Sequence, residues 1–218
     1  MLLSQVLPLR HTVRRFRDIP IHAAKAAQLQ YEIDRCNAQY GTHIQLVTDD
    51  PQVFAGKKAF SNANNYIALI GSKKQKPQEI LGYCGELLVL KAQAIQLNTC
   101  WVAATYRKRK VKATVLPGEK LYAVIAVGVG EDQGAPHKRR KRETRQKGPQ
   151  PLPMWFQKGV HAAMLAPTAL HRQNFCFTLL ENDTVALRSK GVCKKLNAGI
   201  LKYHFEIGAG DHSFRWSE

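Results

Sequence analysis

Apolar and polar positions along this chain change period several times, and the changes outline its elements. Residues 20–38 (PIHAAKAAQLQYEIDRCNA) place Ala24, Ala27, Leu29, Ile33 and Cys36 at roughly helical spacing, and Pro20 suits a first turn, so a helix is expected there. Residues 43–47 (HIQLV) read as a strand closed by the turn formers TDDP, and 66–71 (YIALIG) as a second strand. The segment 79–101 (EILGYCGELLVLKAQAIQLNTCW) is apolar on nearly every face from Leu81 to Leu97 and too long for one strand, which predicts a helix buried all round. Residues 121–129 (LYAVIAVGV) form the continuous apolar run of a strand covered on both faces. A polar, basic, proline-containing stretch at 131–153 reads as a connector. Beyond it follow a helix at 154–165, a strand at 175–180 and a helix at 196–207.

The order partly repeats. IQLVTDD at 44–50 and FTLLEND at 177–183 each place a strand and an acidic turn after a helix. Internal duplication explains this, and so do two chance strand–turn units.

With 218 residues and 44% hydrophobic composition, the chain can bury a core without staples. No apolar run is long enough to span a bilayer, and the N-terminus lacks the charge-then-apolar order of a signal peptide. The expectation is a soluble, cytoplasmic protein with no membrane partner. Five cysteines, an odd number with no CxxC, argue against a disulfide framework or zinc site, and no HExxH occurs among the eight histidines, so no metal is expected.

The net charge of +17 is partly concentrated. Segments 105–112 and 137–148 hold 12 of the 33 Lys and Arg residues. Such blocks suit nucleic acid, acidic lipid or a phosphate-bearing ligand, and equally a solvated loop.

Four stretches carry candidate chemistry. In RHTVRRF (10–16), Arg10, Thr12 and Arg14 alternate, so an extended backbone turns them to one side, where two guanidiniums and a hydroxyl would clamp a phosphate. A basic arm without a ligand fits the same spacing. GVGEDQG (128–134) follows a strand, but its spacing departs from GxGxxG and no apolar helix follows, so it reads as a turn. LNTCWVAATY (97–106) ends the long helix in small residues, Ala103 and Ala104, which let a flat ligand approach the main chain or simply pack tightly. APTALHRQNF (166–175) gathers Thr168, His171, Arg172 and Gln173 at a helix end. No nucleophile–base arrangement stands out, so any difficult chemistry belongs to a cofactor.

Taken together these stretches resemble the nitroreductase family of FMN proteins. RHTVRRF is similar to that family's R-x-[ST]-x-[RK]-x-[FY] signature, and APTALHRQNF to its A-P-S-x-x-N-x-Q-P-[WF] motif, with His171 in place of the asparagine and Asn174 in place of the proline. The resemblance implies an α+β, three-layer fold, with helices on both faces of a central sheet and two degenerate repeats in one chain. Residues 1–135 would form the first repeat, 136–153 a basic connector and 154–218 a shortened second repeat. It implies a monomeric pseudo-dimer with one FMN site, in which Pro167, Thr168 and Ala169 play the partner subunit's part, beside His171. Arg10, Thr12 and Arg14, with Lys138 and Arg140, would hold the phosphate end. The main chain near Ala103 and Ala104 would face the flavin N5, and Asn65 and Gln173 the pyrimidine end. The implied activity is hydride transfer from NADH or NADPH through FMN to a small-molecule acceptor such as a nitroaromatic or quinone. Two alternatives are a nucleic-acid-binding protein with a vestigial flavin site and a non-reductive flavin-handling enzyme on the same fold. The basic runs contain few aromatics for base stacking, which disfavours nucleic acid.

Overall fold

The computed structural model describes residues 2–75, 77–136 and 145–217. Lys138, Arg140 and most of the second basic run lie outside the described residues.

A short helix α1 (Leu3–Val6) leads into an extended arm, and α2 (Ala23–Tyr40) follows. Gly41, at φ 61°, stops α2 in the left-handed conformation that glycine adopts without steric cost. Then come β1 (Gln45–Val47), β2 (Tyr66–Ser72), α3 (Gln78–Ala94), β3 (Asn98–Val102) and β4 (Glu119–Gly128). The remainder holds β5 (Gln146–Lys147), α4 (Met154–Ala163), β6 (Phe175–Leu179), β7 (Thr184–Ser189), α5 (Lys194–Ala209) and β8 (Arg215–Trp216).

The α+β class holds, but the strands divide between two four-stranded sheets in place of one central sheet. Their orders are β1-β2-β4-β3 and β5-β6-β7-β8. The first sheet is antiparallel throughout. Alternation along β2 and β4 decides what each face covers. Ile67, Leu69, Ala123, Ile125 and Val127 pack with residues of α2 and α3. Their neighbours Tyr66, Ala68, Ile70, Val124 and Ala126 pack with Val13 and Phe16 of the arm. That is why both strands read as unbroken apolar runs. Both halves of the chain run helix, strand, antiparallel strand, helix: α2-β1-β2-α3 and α4-β6-β7-α5.

One expected element is really two. The apolar stretch 79–101 is not a single helix: α3 ends at Ala94, Gln96 turns the chain at φ 60°, and residues 98–102 pair with β4 from Asn98↔Gly128 to Val102↔Val124. A buried helix and a buried strand are equally apolar, so periodicity ran across the junction. The β-branched and aromatic residues of NTCWV were the available sign of a strand.

The halves join where α3 crosses α5, and two glycines allow main-chain contact there. A Cβ on Gly82 would overlap the Leu196 carbonyl, and one on Gly199 would overlap the Glu79 carbonyl and lie 2.5 Å from the Tyr83 nitrogen. Helix α4 meets α5 in the same way, since a Cβ on Gly208 would stand 2.6 Å from the Lys158 carbonyl oxygen. This packing fixes the end of α4, and so the turn after it, relative to the N-terminal arm.

Candidate functional site

The arm lies along the first sheet. Val13 N–H donates to the Thr99 carbonyl at 3.0 Å, and Phe16 N–H donates to the Ser61 carbonyl at 2.9 Å. Val13 is buried in the core, so its neighbours Thr12 and Arg14 turn the other way, and with Arg10 they line a cleft of about 430 Å³. Across it stand Ala166, Pro167, Thr168 and Gln173, with Ala135 and Pro136 closing another side. The two motifs, more than 150 residues apart in sequence, therefore face one cavity.

The 166–173 wall is a strained turn held by its own polar groups. Leu170, His171 and Gln173 have φ of 55°, 52° and 45°, a region that costs a side-chain-bearing residue about 1 kcal/mol. Gln173 Nε2 donates to the Met164 carbonyl at 2.6 Å and to the Ala166 carbonyl at 3.4 Å. Thr168 Oγ1 accepts from the Gln173 N–H at 2.9 Å, and Asn197 of α5 accepts from the Ala169 N–H at 3.1 Å. His171 is exposed on the rim.

The residues assigned by resemblance fare unequally. Arg10, Thr12, Arg14, Pro167, Thr168, His171 and Gln173 line the cleft, and Ala169 lies inside its turn without lining it. Gln173 is not a free donor for a ligand, because its amide hydrogens already hold the turn. Asn65 does not line the cleft; it is buried at the start of β2, where its Oδ1 accepts from the Asp49 N–H at 3.1 Å. Ala103 and Ala104 do not line it either, being exposed in the bend after β3.

The two arginines differ in a way that alternation did not foretell. Arg14 is exposed, whereas Arg10 is 3% exposed. Burial lowers the Arg10 pKa and Glu86 raises it; a guanidinium stays charged through such a shift. Arg10 Nε lies 3.9 Å from Glu86 Oε1, and its Nη2 donates to the Leu165 carbonyl at 3.3 Å. Glu86, fully buried on α3, also accepts from Trp101 Nε1–H at 2.8 Å and lies 2.8 Å from Nε2 of buried His204 on α5. The sequence held one sign of this hub, a lone glutamate inside a helix otherwise apolar on nearly every face.

Among the described residues no grouping of His, Cys, Asp and Glu suits a metal ion, and no helix is long and apolar enough to cross a membrane. The family model described as "Putative TM nitroreductase" matches residues 3–209. The chain belongs to this nitroreductase family. No curated protein matches it. Among solved structures, the nitroreductase fold seen here is similar to a "putative nitroreductase" of Thermotoga maritima. That match has a TM-score of 0.69 and 19% identity, covering 95% of this chain and 83% of that one. A "putative nitroreductase in complex with FMN" from Desulfovibrio desulfuricans matches with a TM-score of 0.51 and 19% identity, over 65% of this chain and 94% of that one. An "FMN-dependent nitroreductase" of Clostridium difficile matches with a TM-score of 0.51 and 14% identity, over 61% of this chain and 90% of that one.

Proposed function

We propose that this nitroreductase-family chain is an FMN-dependent oxidoreductase, taking hydride from NADH or NADPH and passing it to a nitroaromatic, quinone or similar small acceptor. One observation carries the reading: the arm bearing Arg10, Thr12 and Arg14 and the 166–173 turn face each other across one cleft. Its volume, about 430 Å³, falls within the range of cofactor sites.

The residues present fit the group. The exposed Arg14 guanidinium and the Thr12 hydroxyl supply the planar fork and the donor that phosphate oxygens take. Lys138 and Arg140 would add charge at the same end. Ala166, Pro167 and Pro136 offer apolar wall to a flat ring system and exclude water from it. Arg10 lies at the cleft floor with its charge paired to buried Glu86. FMN, when bound, supplies the hydride acceptance and release. Because both walls come from one chain, a monomer would hold one complete site, with residues 154–218 serving where a second subunit otherwise would.

The absorption spectrum of the purified protein tests the proposal. Flavin bands that bleach under anaerobic NADH or NADPH are the expected result. Bound flavin that neither nucleotide reduces would move the reading to a non-reductive flavin enzyme, and colourless protein that takes up no added FMN would end it.

A further inference from the structure

The hub beneath the cleft joins its two walls, and its geometry separates the roles of the two arginines. Arg10 reaches from the arm to Glu86 and to the Leu165 carbonyl, and Leu165 immediately precedes Ala166 and Pro167 of the opposite wall. Glu86 is held from both sides, by the Trp101 indole on β3 and by His204 on α5. His204 Nδ1 lies 3.0 Å from the Ala162 carbonyl, three residues before Leu165. A carbonyl only accepts, so Nδ1 carries a hydrogen, and because a carboxylate also only accepts, the 2.8 Å contact between Nε2 and Glu86 Oε1 holds a second one. The Arg10 and His204 branches of the hub therefore both end at the C-terminal turn of α4, from which the 166–173 wall extends. Glu86 and His204 are 0% exposed and Arg10 is 3% exposed, so none exchanges its partners for water without leaving the others buried and unpaired. Arg14 faces the same cleft with an exposed side chain.

From this we infer that Arg10, Glu86 and His204 form a strap that sets the spacing of the cleft walls, and that phosphate recognition falls to Arg14. Glu86 and His204 are then positioning residues, acting on a flavin through Arg10 and the Leu165 carbonyl. The inference rests on the FMN reading and refines it.

The test titrates the flavin-stripped, full-length chain with FMN and with riboflavin, following the quenching of flavin fluorescence. In parallel, hydrogen–deuterium exchange is measured on peptides covering residues 165–173 without flavin. Arg14→Gln should weaken FMN by about tenfold or more, the scale of a lost charge-assisted hydrogen bond, and leave riboflavin unchanged. Glu86→Gln, His204→Gln and Arg10→Gln should weaken both ligands by a common factor, preserving the FMN-to-riboflavin ratio. Arg10→Gln should add nothing once Glu86→Gln is present. Exchange at 165–173 should quicken in these three variants and stay unchanged in Arg14→Gln. Where a buried substitution loosens the whole chain, Arg10→Lys makes the same comparison, since an ammonium keeps the charge but cannot serve both Glu86 and the Leu165 carbonyl through a planar fork. Loss of phosphate discrimination in Arg10→Gln would overturn the division of roles. Unchanged exchange at 165–173 in Glu86→Gln and His204→Gln would overturn the strap. If the unaltered chain binds neither flavin, the FMN reading and the Arg14 assignment fall together, while exchange still decides the strap.

Discussion

Gly199 of α5 lies directly on the main chain of Glu79 in α3, so close that a Cβ there would overlap the Glu79 carbonyl. The contact is backbone against backbone, and no rotamer change relieves it. Gly199→Ala should therefore force the helices apart and destabilise the protein by about 3 kcal/mol or more, the upper end of overpacking costs. A denaturant titration reads this as a lowered midpoint. Gly191, at φ 86° with open space around it, is the control: Ala there strains only the local backbone. Equal midpoints for Gly199→Ala and the parent would refute the crossing.

The Tyr66 hydroxyl is another point where distant segments meet. It donates to Asp50 Oδ2 at 2.8 Å and accepts from the Lys112 N–H at 2.9 Å, and Tyr66 and Asp50 are both fully buried. Burial pushes the phenol above its usual range, which keeps the hydroxyl a donor to the carboxylate. Tyr66→Phe keeps the ring but leaves Asp50 Oδ2 without its donor, and should cost about 2 kcal/mol. Thermal melting measures this, and a change within error would show that water replaces the hydroxyl.

Thr168 tests the cleft wall. Its hydroxyl oxygen accepts from the Gln173 N–H, and Gln173 in turn bridges the Met164 and Ala166 carbonyls. Thr168→Val keeps the shape and removes the acceptor, so the strained residues Leu170 and His171 lose one restraint. The expected outcome is weaker FMN uptake, by about tenfold, with global stability reduced by only about 1 kcal/mol. Isothermal titration beside a melt separates the two effects; loss of stability alone would show that the turn is not part of the site.

How much of this was legible in the sequence depends on how far the information reached along the chain. RHTVRRF and APTALHRQNF could be read because each motif is local, and the structure places both at one cleft. The break between α3 and β3 at Gln96 could not be read from hydropathy, since both sides of it are buried. Strand β7 mixes polar and apolar residues too evenly to show a period, and β5 and β8 are two residues each. The resemblance gives Asn65 and Gln173 to the ligand, but their hydrogen bonds go to the Asp49 N–H and to main-chain carbonyls. The Glu86–His204 pair spans 118 positions, and only folding reveals that a buried acid on α3 and a buried histidine on α5 are partners.

Cysteine labelling follows from burial. Cys100 is 3% exposed, and burial pushes its thiol up to about 11, opposed by Arg14 and Arg10. At pH 8 only about one thiol in a thousand is then the reactive thiolate. Iodoacetamide should modify the half-buried Cys176 and Cys193 before Cys100, as read by peptide mass spectrometry of the native protein. Early labelling of Cys100 would mean that the region under the arm is open to solvent.

Acid should weaken the fold partly through Glu119. Burial raises this carboxyl, but hydrogen bonds from His43, at 2.8 Å, and from the Leu116 N–H, at 2.9 Å, outweigh it and hold the group below the ordinary carboxylate range. A depressed carboxyl stabilises the folded state above its unfolded pKa of about 4.3, and that contribution disappears as pH falls through the lower folded value. Glu119→Gln removes the titration. Its urea midpoint should lie below the parent's near neutrality, and the gap should narrow as pH falls from about 5 toward 3. A gap that stays constant across that window would show that the carboxylate contributes by shape alone.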